Sequence, residues 1–254
     1  LSDEVLVERR GAVQLIVINR PEARNALNLA VATGIRDAVD ELDADGELRA
    51  GVLTGTGGTF SAGMDLKAFL TGERPSFPGR GLCGITQTPP RKPLIAAVEG
   101  WALAGGFELV LACDLVVAST SARFGVPEVK RSLVAAAGGA LLLPQRIPRA
   151  VALEMLLTGD PIGAERAAEV GLINRLVDDG QAVDIAVELA TRIAANGPLA
   201  LIATKQIAAG GADWDGAEKW EKANALMAPV FGSQDAQEGA RAFAEKRPPV
   251  WKGQ

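Results

Sequence analysis

The segment Gly100-Trp101-Ala102-Leu103-Ala104-Gly105-Gly106-Phe107-Glu108, continuing into Leu109-Val110-Leu111-Ala112-Cys113, decides how this chain is read. Gly105 and Gly106 stand just before an apolar helical stretch from Phe107 to Cys113. Free backbone N–H groups at such a place lie at the positive end of a helix dipole and suit the stabilisation of an oxyanion. Glu108 falls in the first turn of that helix. It could be a dipole-stabilised glutamate facing solvent. Its neighbours are apolar on nearly every side, however, so the helix is expected to be buried all round. A buried glutamate needs a reason.

Working outward, Pro93 to Val98 reads as a strand before this segment and Leu115 to Ala118 as a strand after it. Upstream, Val13 to Asn19 is a β-branched run stopped at Arg20-Pro21, and Ala50 to Thr54 is a further strand. Asn28 is placed to cap an amphipathic helix running to about Leu42. Downstream, helices are expected near Val134 to Leu143, Pro148 to Leu157 and Gly163 to Val170, with a strand from Leu172 to Val177. After Ala182 only helices are read: Ala182 to Ala195, Pro198 to Ala209, Asp213 to Met227 and Asp235 to Arg247. Strands alternating with helices, then helices alone, imply an α/β core with a helical appendage. The core is placed at residues 1–190 and the helical region at 191–254. Glu73 to Arg80 (ERPSFPGR) is expected to be a mobile loop.

Composition removes several chemistries. The 254 residues contain no His and no Tyr, so a Ser-His-Asp triad, an HExxH zinc site and a phenolic acid are all excluded. Cys83 and Cys113 are too few for a four-cysteine metal site and read as reduced thiols. Acid–base work is left to carboxylates, lysines or backbone groups, and neither a metal nor a cofactor is expected. Lys and Arg number 26 against 31 Asp and Glu, a net charge of −5, and there is no long basic run. Nucleic acid is therefore not an expected partner. The most apolar region, Trp101 to Ala118, is broken by Glu108 and Asp114 and is a poor membrane span. LSDEVLVERR has no cationic head followed by an apolar stretch, so no signal peptide is read there and a cytoplasmic location is expected.

Three other motifs carry weaker signals. Gly55-Thr-Gly-Gly-Thr-Phe60 follows a strand but lacks the third glycine of a dinucleotide loop, and no GxxxxGK[ST] phosphate loop occurs. Phe60-Ser-Ala-Gly-Met-Asp-Leu-Lys67 lets a ligand approach the main chain, with Asp65 able to cap the next helix; on chemistry alone it is a plain strand-to-helix turn. In Phe124-Gly-Val-Pro-Glu128 the proline sets the turn, and Glu128 alone reads as a surface ion pair with Lys130 or Arg131.

Together these segments resemble the enoyl-CoA hydratase/isomerase (crotonase) superfamily. The resemblance runs from INRPEARNALN through TFSAGMDLK, KPLIAAVEGWALAGGFELVLACDLVVAS, ARFGVPEV and TGDPIGAERAAEVGLINRLV to AFAEKRPPVWKG. The SAGMDLK segment and the tail look closest to the carnitinyl-CoA dehydratase branch. The resemblance implies a crotonase-like ββα spiral core with a helical C-terminal trimerisation region. It also implies a homo-trimer or dimer of trimers acting on an acyl-CoA thioester, with enoyl-CoA hydration of the fatty-acid β-oxidation type as the activity. Carnitinyl-CoA dehydration, a one-glutamate isomerase or hydrolase, and a non-catalytic acyl-CoA-binding protein are the alternatives.

Carried over by position, Met64 and Gly105 would supply two oxyanion N–H groups, and Glu108 and Glu128 would be the catalytic carboxylates. Ala23, Arg24, Ala26, Ala62, Asp65, Leu66 and Lys67 would line the CoA site. Gly106 and Pro127 would join the substrate site, and Lys246 would approach the CoA of an adjacent subunit. Two departures stand out. Ala104 occupies a position where many hydratases carry glycine. After Glu128, the sequence VKRSLVAAAGG has Ser132, Ala135 and Ala136 in place of a Gly-x-x-Pro-Gly arrangement, which leaves acyl specificity open.

Overall fold

The computed structural model describes residues 3–254. In chain order its strands are β1 (Val5–Arg10), β2 (Val13–Ile18), β3 (Ala50–Gly55), β4 (Ser76–Phe77), β5 (Gly81–Leu82), β6 (Leu94–Val98), β7 (Trp101–Leu103), β8 (Leu115–Ser119), β9 (Arg123–Gly125), β10 (Ile162–Gly163) and β11 (Arg175–Val177). The helices are α1 (Leu29–Ala44), α2 (Leu66–Leu70), α3 (Gly105–Ala112), α4 (Gly139–Arg146), α5 (Arg149–Thr158), α6 (Ala164–Glu169), α7 (Ala182–Ala194), α8 (Pro198–Gly210), α9 (Lys219–Phe231) and α10 (Gln234–Glu245). Two short 3-10 turns, Pro21–Ala23 and Pro127–Arg131, complete the set.

The main sheet has the order β1-β2-β3-β6-β8-β11. Within it only the β1–β2 pair is antiparallel. Both faces are covered, which is why its strands are nearly continuous apolar runs. Along β6, Leu94, Ala96 and Val98 face one core, while Ile95 and Ala97 face another. The second core is closed by α7, whose Ala182, Ala186, Ala190 and Ala194 recur every four residues and are buried. Such small side chains let the helix lie close to the sheet. A smaller sheet, β10-β9-β7, lies beyond it, with β7 and β9 parallel. Strands β7 and β9 each follow a main-sheet strand, giving the expected ββα repetition: β6 leads to β7 and then α3.

Several expectations are corrected. β1 is missing from the sequence reading, because Glu8, Arg9 and Arg10 mask its alternation; it pairs with all of β2. A short strand, β7, that the sequence reading lacks lies between β6 and α3. The helix expected from Val134 begins only at Gly139, because Gly138 takes φ 125, a backbone state that stops a helix. The strand expected from Leu172 is confined to Arg175–Val177. The helix expected from Asp213 starts at Lys219 and runs to Phe231. Within Glu73 to Arg80, β4 pairs with β5, and Phe77 lies under the Arg36 guanidinium, 4.3 Å from its ring centre. Residue 190, the expected end of the core, falls inside α7.

Candidate active site

Two loops meet beyond the carboxyl ends of β3 and β6. The first, Ser61 to Asp65, forms a bridge with Leu27: the Leu27 N–H donates to Gly63 O at 2.8 Å, and the Asp65 N–H donates to Leu27 O at 2.9 Å. The carbonyl of the Gly63–Met64 peptide is thereby tied down. Gly63 has φ +94, which a side chain rarely adopts. The second loop enters α3. There Ala104 O accepts from the Glu108 N–H at 3.0 Å, which ties the carbonyl of the Ala104–Gly105 peptide. The N–H groups on the other sides of these peptides, on Met64 and Gly105, donate to no group among the described residues. They are neighbours: a methyl placed on Gly63 would lie 3.2 Å from Gly105 N, and one on Gly105 would lie 3.7 Å from Met64 N.

Ala104 itself sits at φ 50 and ψ −128, outside the regions open to L-residues. Its N–H donates to Gly125 O at 2.9 Å, which pins it to the small sheet.

Glu108 is only 3% exposed on a helix whose eight residues are all buried. Its Oε1 accepts the Gly139 N–H at 2.9 Å, and the Ala137 N–H also hydrogen-bonds to its carboxylate. Burial pushes its pKa up to about 7; the two N–H donors oppose the rise and the charge of Glu128 adds to it. Glu128 enters from the Pro127–Arg131 turn and is half-buried. Its Oε2 is buried and accepts no hydrogen bond among the described residues. Burial raises its pKa as well, against its own N–H and the charge of Arg131. The surface ion pair read from sequence does not form: Lys130 pairs with Asp160 instead, and among the described residues Glu128 has no cation within salt-bridge distance. Two carboxylates with raised pKa values in one cleft disfavour double ionisation and titrate as a pair.

Ala62, Met64, Leu66, Gly105, Glu108, Pro127 and Glu128 all line one cavity of about 370 Å³. The other expected residues do not. Asp65 is committed elsewhere: its carboxylate accepts from the Lys67 and Ala68 N–H groups, capping α2, and pairs with Arg20 at 3.1 Å. Gly106 is a packing requirement, since a methyl there would stand 2.5 Å from Ser61 O. Arg24 acts through its carbonyl, which accepts the Ala62 N–H, and Ala26 through its carbonyl, which accepts from Arg20. Ala23 closes the first 3-10 turn, Lys67 is exposed on α2, and Lys246 terminates α10 at φ 53; none of these three reaches the cavity.

The structure adds walls that the sequence did not disclose, including Phe69, Arg74, Leu82, Leu103, Arg131, Leu133 and Val134. It also adds Gly139 as the partner of Glu108. The Gly138-Gly139 pair was the available signal: a methyl on Gly139 would lie 2.7 Å from Ala135 Cβ and 3.2 Å from Glu108 Oε1.

The fold thus brings two open N–H groups and two carboxylates, one buried and one half-buried, to one cavity, the equipment of an enzyme that stabilises an oxyanion and moves protons. Residues 8–254 match the family model described as Enoyl-CoA hydratase/isomerase. The chain belongs to that family. Enoyl-CoA hydratase EchA19 of Mycobacterium tuberculosis is 44% identical over 257 residues, spanning 97% of this chain and 95% of that protein. A carnitinyl-CoA dehydratase of Salmonella enteritidis is 40% identical over 261 residues, spanning 100% of both. The crystal structure of an enoyl-CoA hydratase from M. tuberculosis H37Rv superposes with a TM-score of 0.97 at 55% identity, covering 100% of each chain.

Proposed function

We propose that the protein is a hydro-lyase that adds water reversibly across the α,β double bond of a 2-enoyl-CoA thioester. The observation that carries this is the convergence of Met64 N–H, Gly105 N–H, Glu108 and Glu128 on one cavity. The thioester oxygen accepts from the two amides, which draws electron density from Cβ. Water attacks Cβ as one carboxylate takes its proton, and enolate charge gathers on the oxygen held by the amides. The other carboxyl delivers a proton to Cα, and the enolate collapses to the saturated 3-hydroxyacyl thioester. In the reverse direction the same groups exchange roles. One fixed donor of this kind contributes about 10²–10³ in rate. No step calls on a metal or a redox group.

The acyl group is inferred to be a neutral aliphatic chain, as in β-oxidation. Leu82, Leu103, Leu133 and Val134 form its walls, and the charged side chains on the cavity other than the glutamate pair are Arg74 and Arg131. A cationic carnitine-like acyl group would meet like charge there and no additional carboxylate. The pair of glutamates on one cavity supports hydration over a one-glutamate isomerase or hydrolase, and over a protein that only binds acyl-CoA. Assembly through the C-terminal helices, as a trimer or dimer of trimers, is supported by Trp220, Phe231 and Phe243, which are 70%, 77% and 88% exposed. Sedimentation at micromolar concentration tests that assembly.

The deciding experiment follows loss of enoyl-thioester absorbance with crotonyl-, longer enoyl- and crotonobetainyl-CoA. Turnover of the neutral chains, with crotonobetainyl-CoA far behind, is expected. Saturable binding of every thioester without any hydration would overturn the proposal.

A further inference from the structure

Ser61 is fully buried and joins the two loops that carry the amide pair. Its hydroxyl donates to Asn25 O at 2.8 Å and accepts the Gly63 N–H at 3.1 Å. This sets the peptide just before the one that carries the Met64 N–H. Its main chain does the same for the second loop. The Ser61 N–H donates to Trp101 O at 2.9 Å, and Ser61 O accepts the Leu103 N–H at 3.0 Å, forming a bridge to Ala102. Gly106 then packs directly on Ser61, because even a methyl there would meet Ser61 Cβ at 2.7 Å and Oγ at 2.9 Å.

The acceptor of the hydroxyl is itself anchored. Asn25 is fully buried at φ 54, in the left-handed region. Its Oδ1 accepts the Arg20 N–H at 2.9 Å, and its Nδ2 donates to Thr56 O at 2.9 Å and Thr59 O at 2.6 Å. The hydroxyl of Ser61 therefore joins a rigid hub to the Gly63 amide, while its backbone holds the loop that leads to Gly105.

We infer that Ser61 is a positioning residue for the oxyanion site: through its hydroxyl it fixes the orientation of the Met64 N–H against that of Gly105. The inference rests on the hydratase reading above. Without the hydroxyl, the Gly63 N–H loses its acceptor and the Gly63–Met64 peptide gains freedom to rotate about its own Leu27 hydrogen bond. Enolate stabilisation depends on that peptide's orientation more strongly than ground-state binding does, because charge on the oxygen grows towards the transition state.

The test is Ser61→Ala, read by kcat, KM and the absorbance of bound cinnamoyl-CoA. A polarised thioester carbonyl shifts the absorbance of this conjugated probe to the red. The expected result is a kcat lower by about tenfold, the equivalent of about 1.4 kcal/mol, with KM changed less than about twofold and a smaller red shift. A wild-type kcat and red shift in Ser61→Ala overturns the inference, whatever the variant's melting temperature. Should the alanine variant fail to fold, Ser61→Cys decides in its place: a thiol accepts only weakly, so a reduced shift supports the inference and a full wild-type shift overturns it. If the wild-type protein itself shows no red shift with bound probe, the oxyanion reading fails and takes this inference with it.

Discussion

Glu108 and Glu128 face one cavity from two different kinds of structure. Glu108 stands on α3, with every residue of the helix buried, Phe107 packed against Phe124 at 5.5 Å, and its carboxylate held by backbone N–H groups. Glu128 stands on a five-residue 3-10 turn with no buried residue. That turn ends at Ser132 with φ 55 and leads to Leu133 and Val134, which are 48% and 69% exposed. The contrast separates two tasks. Glu108 and the amides of Met64 and Gly105 are held by buried backbone, because stabilisation by fixed dipoles is lost if they move. The cavity wall formed by Leu133 and Val134 is a surface segment, and it can vary without disturbing the core.

The comparison is broken most severely by removing either acid. Glu108→Gln and Glu128→Gln are each expected to lower hydration by roughly 10²–10⁴-fold while CoA-thioester binding persists. The double variant should be little worse than the worse single one, since both groups act on one water and one proton path. Residual exchange of the Cα proton in one single variant assigns that proton to the remaining glutamate. Near-normal hydration by either variant would move the protein to one-glutamate chemistry.

A stability measurement sharpens the same contrast. In the folded state Glu108 binds its proton up to about pH 7, against an ordinary value of 4.5. The native state therefore holds more protons than the unfolded one between those values, and stability falls as pH rises through that window. The loss approaches about 3 kcal/mol above pH 7, at about 1.36 kcal/mol per pKa unit. Glu108→Gln should melt higher than wild type at pH 8 and show no such gain at pH 4. An equal difference at both values would contradict the burial described for Glu108.

Ala104 provides a smaller effect. Its backbone state carries strain of order 1–3 kcal/mol, and glycine would release it at the expense of about 0.4–1 kcal/mol through the unfolded chain. Ala104→Gly is expected to raise stability by about 1 kcal/mol, checked by denaturant titration. A loss of stability would show that the Ala104 methyl packs more favourably than its backbone is strained. The mildest change is at the acyl wall. Leu133→Ala should lower kcat/KM for long enoyl chains several-fold, on the scale of about 0.8 kcal/mol for each methylene left unburied, and leave crotonyl-CoA unaffected. Equal losses on short and long chains would place Leu133 in the core machinery instead.

Much of this is legible in the sequence for physical reasons. The apolar strands 13–18, 50–55, 94–98 and 115–119 lie in a sheet buried on both faces, and that environment leaves its mark on composition. Asn28 and Asp65 cap α1 and α2 as their side-chain chemistry allows. β1 is hidden because one of its ends is charged. The start of α4 is hidden because Ala135 to Ala137 reads as helix by propensity, while the turn there is set by Gly138 and by the demand of Glu108 for N–H donors.

The sequence by itself determined the class of chemistry. With no His and no Tyr, composition left carboxylates, lysines and backbone groups to work with, and the family resemblance singled out Glu108, Glu128 and two backbone amides. Only the tertiary structure decided which residues share the cavity. Asp65 was drawn away by Arg20, Gly106 was claimed by Ser61, and Arg131 and Leu133 were brought in. The physical reason is that a residue's type sets what it can donate, accept or titrate. Where it stands relative to residues far away in the chain is set by strand order and packing, which local sequence does not encode.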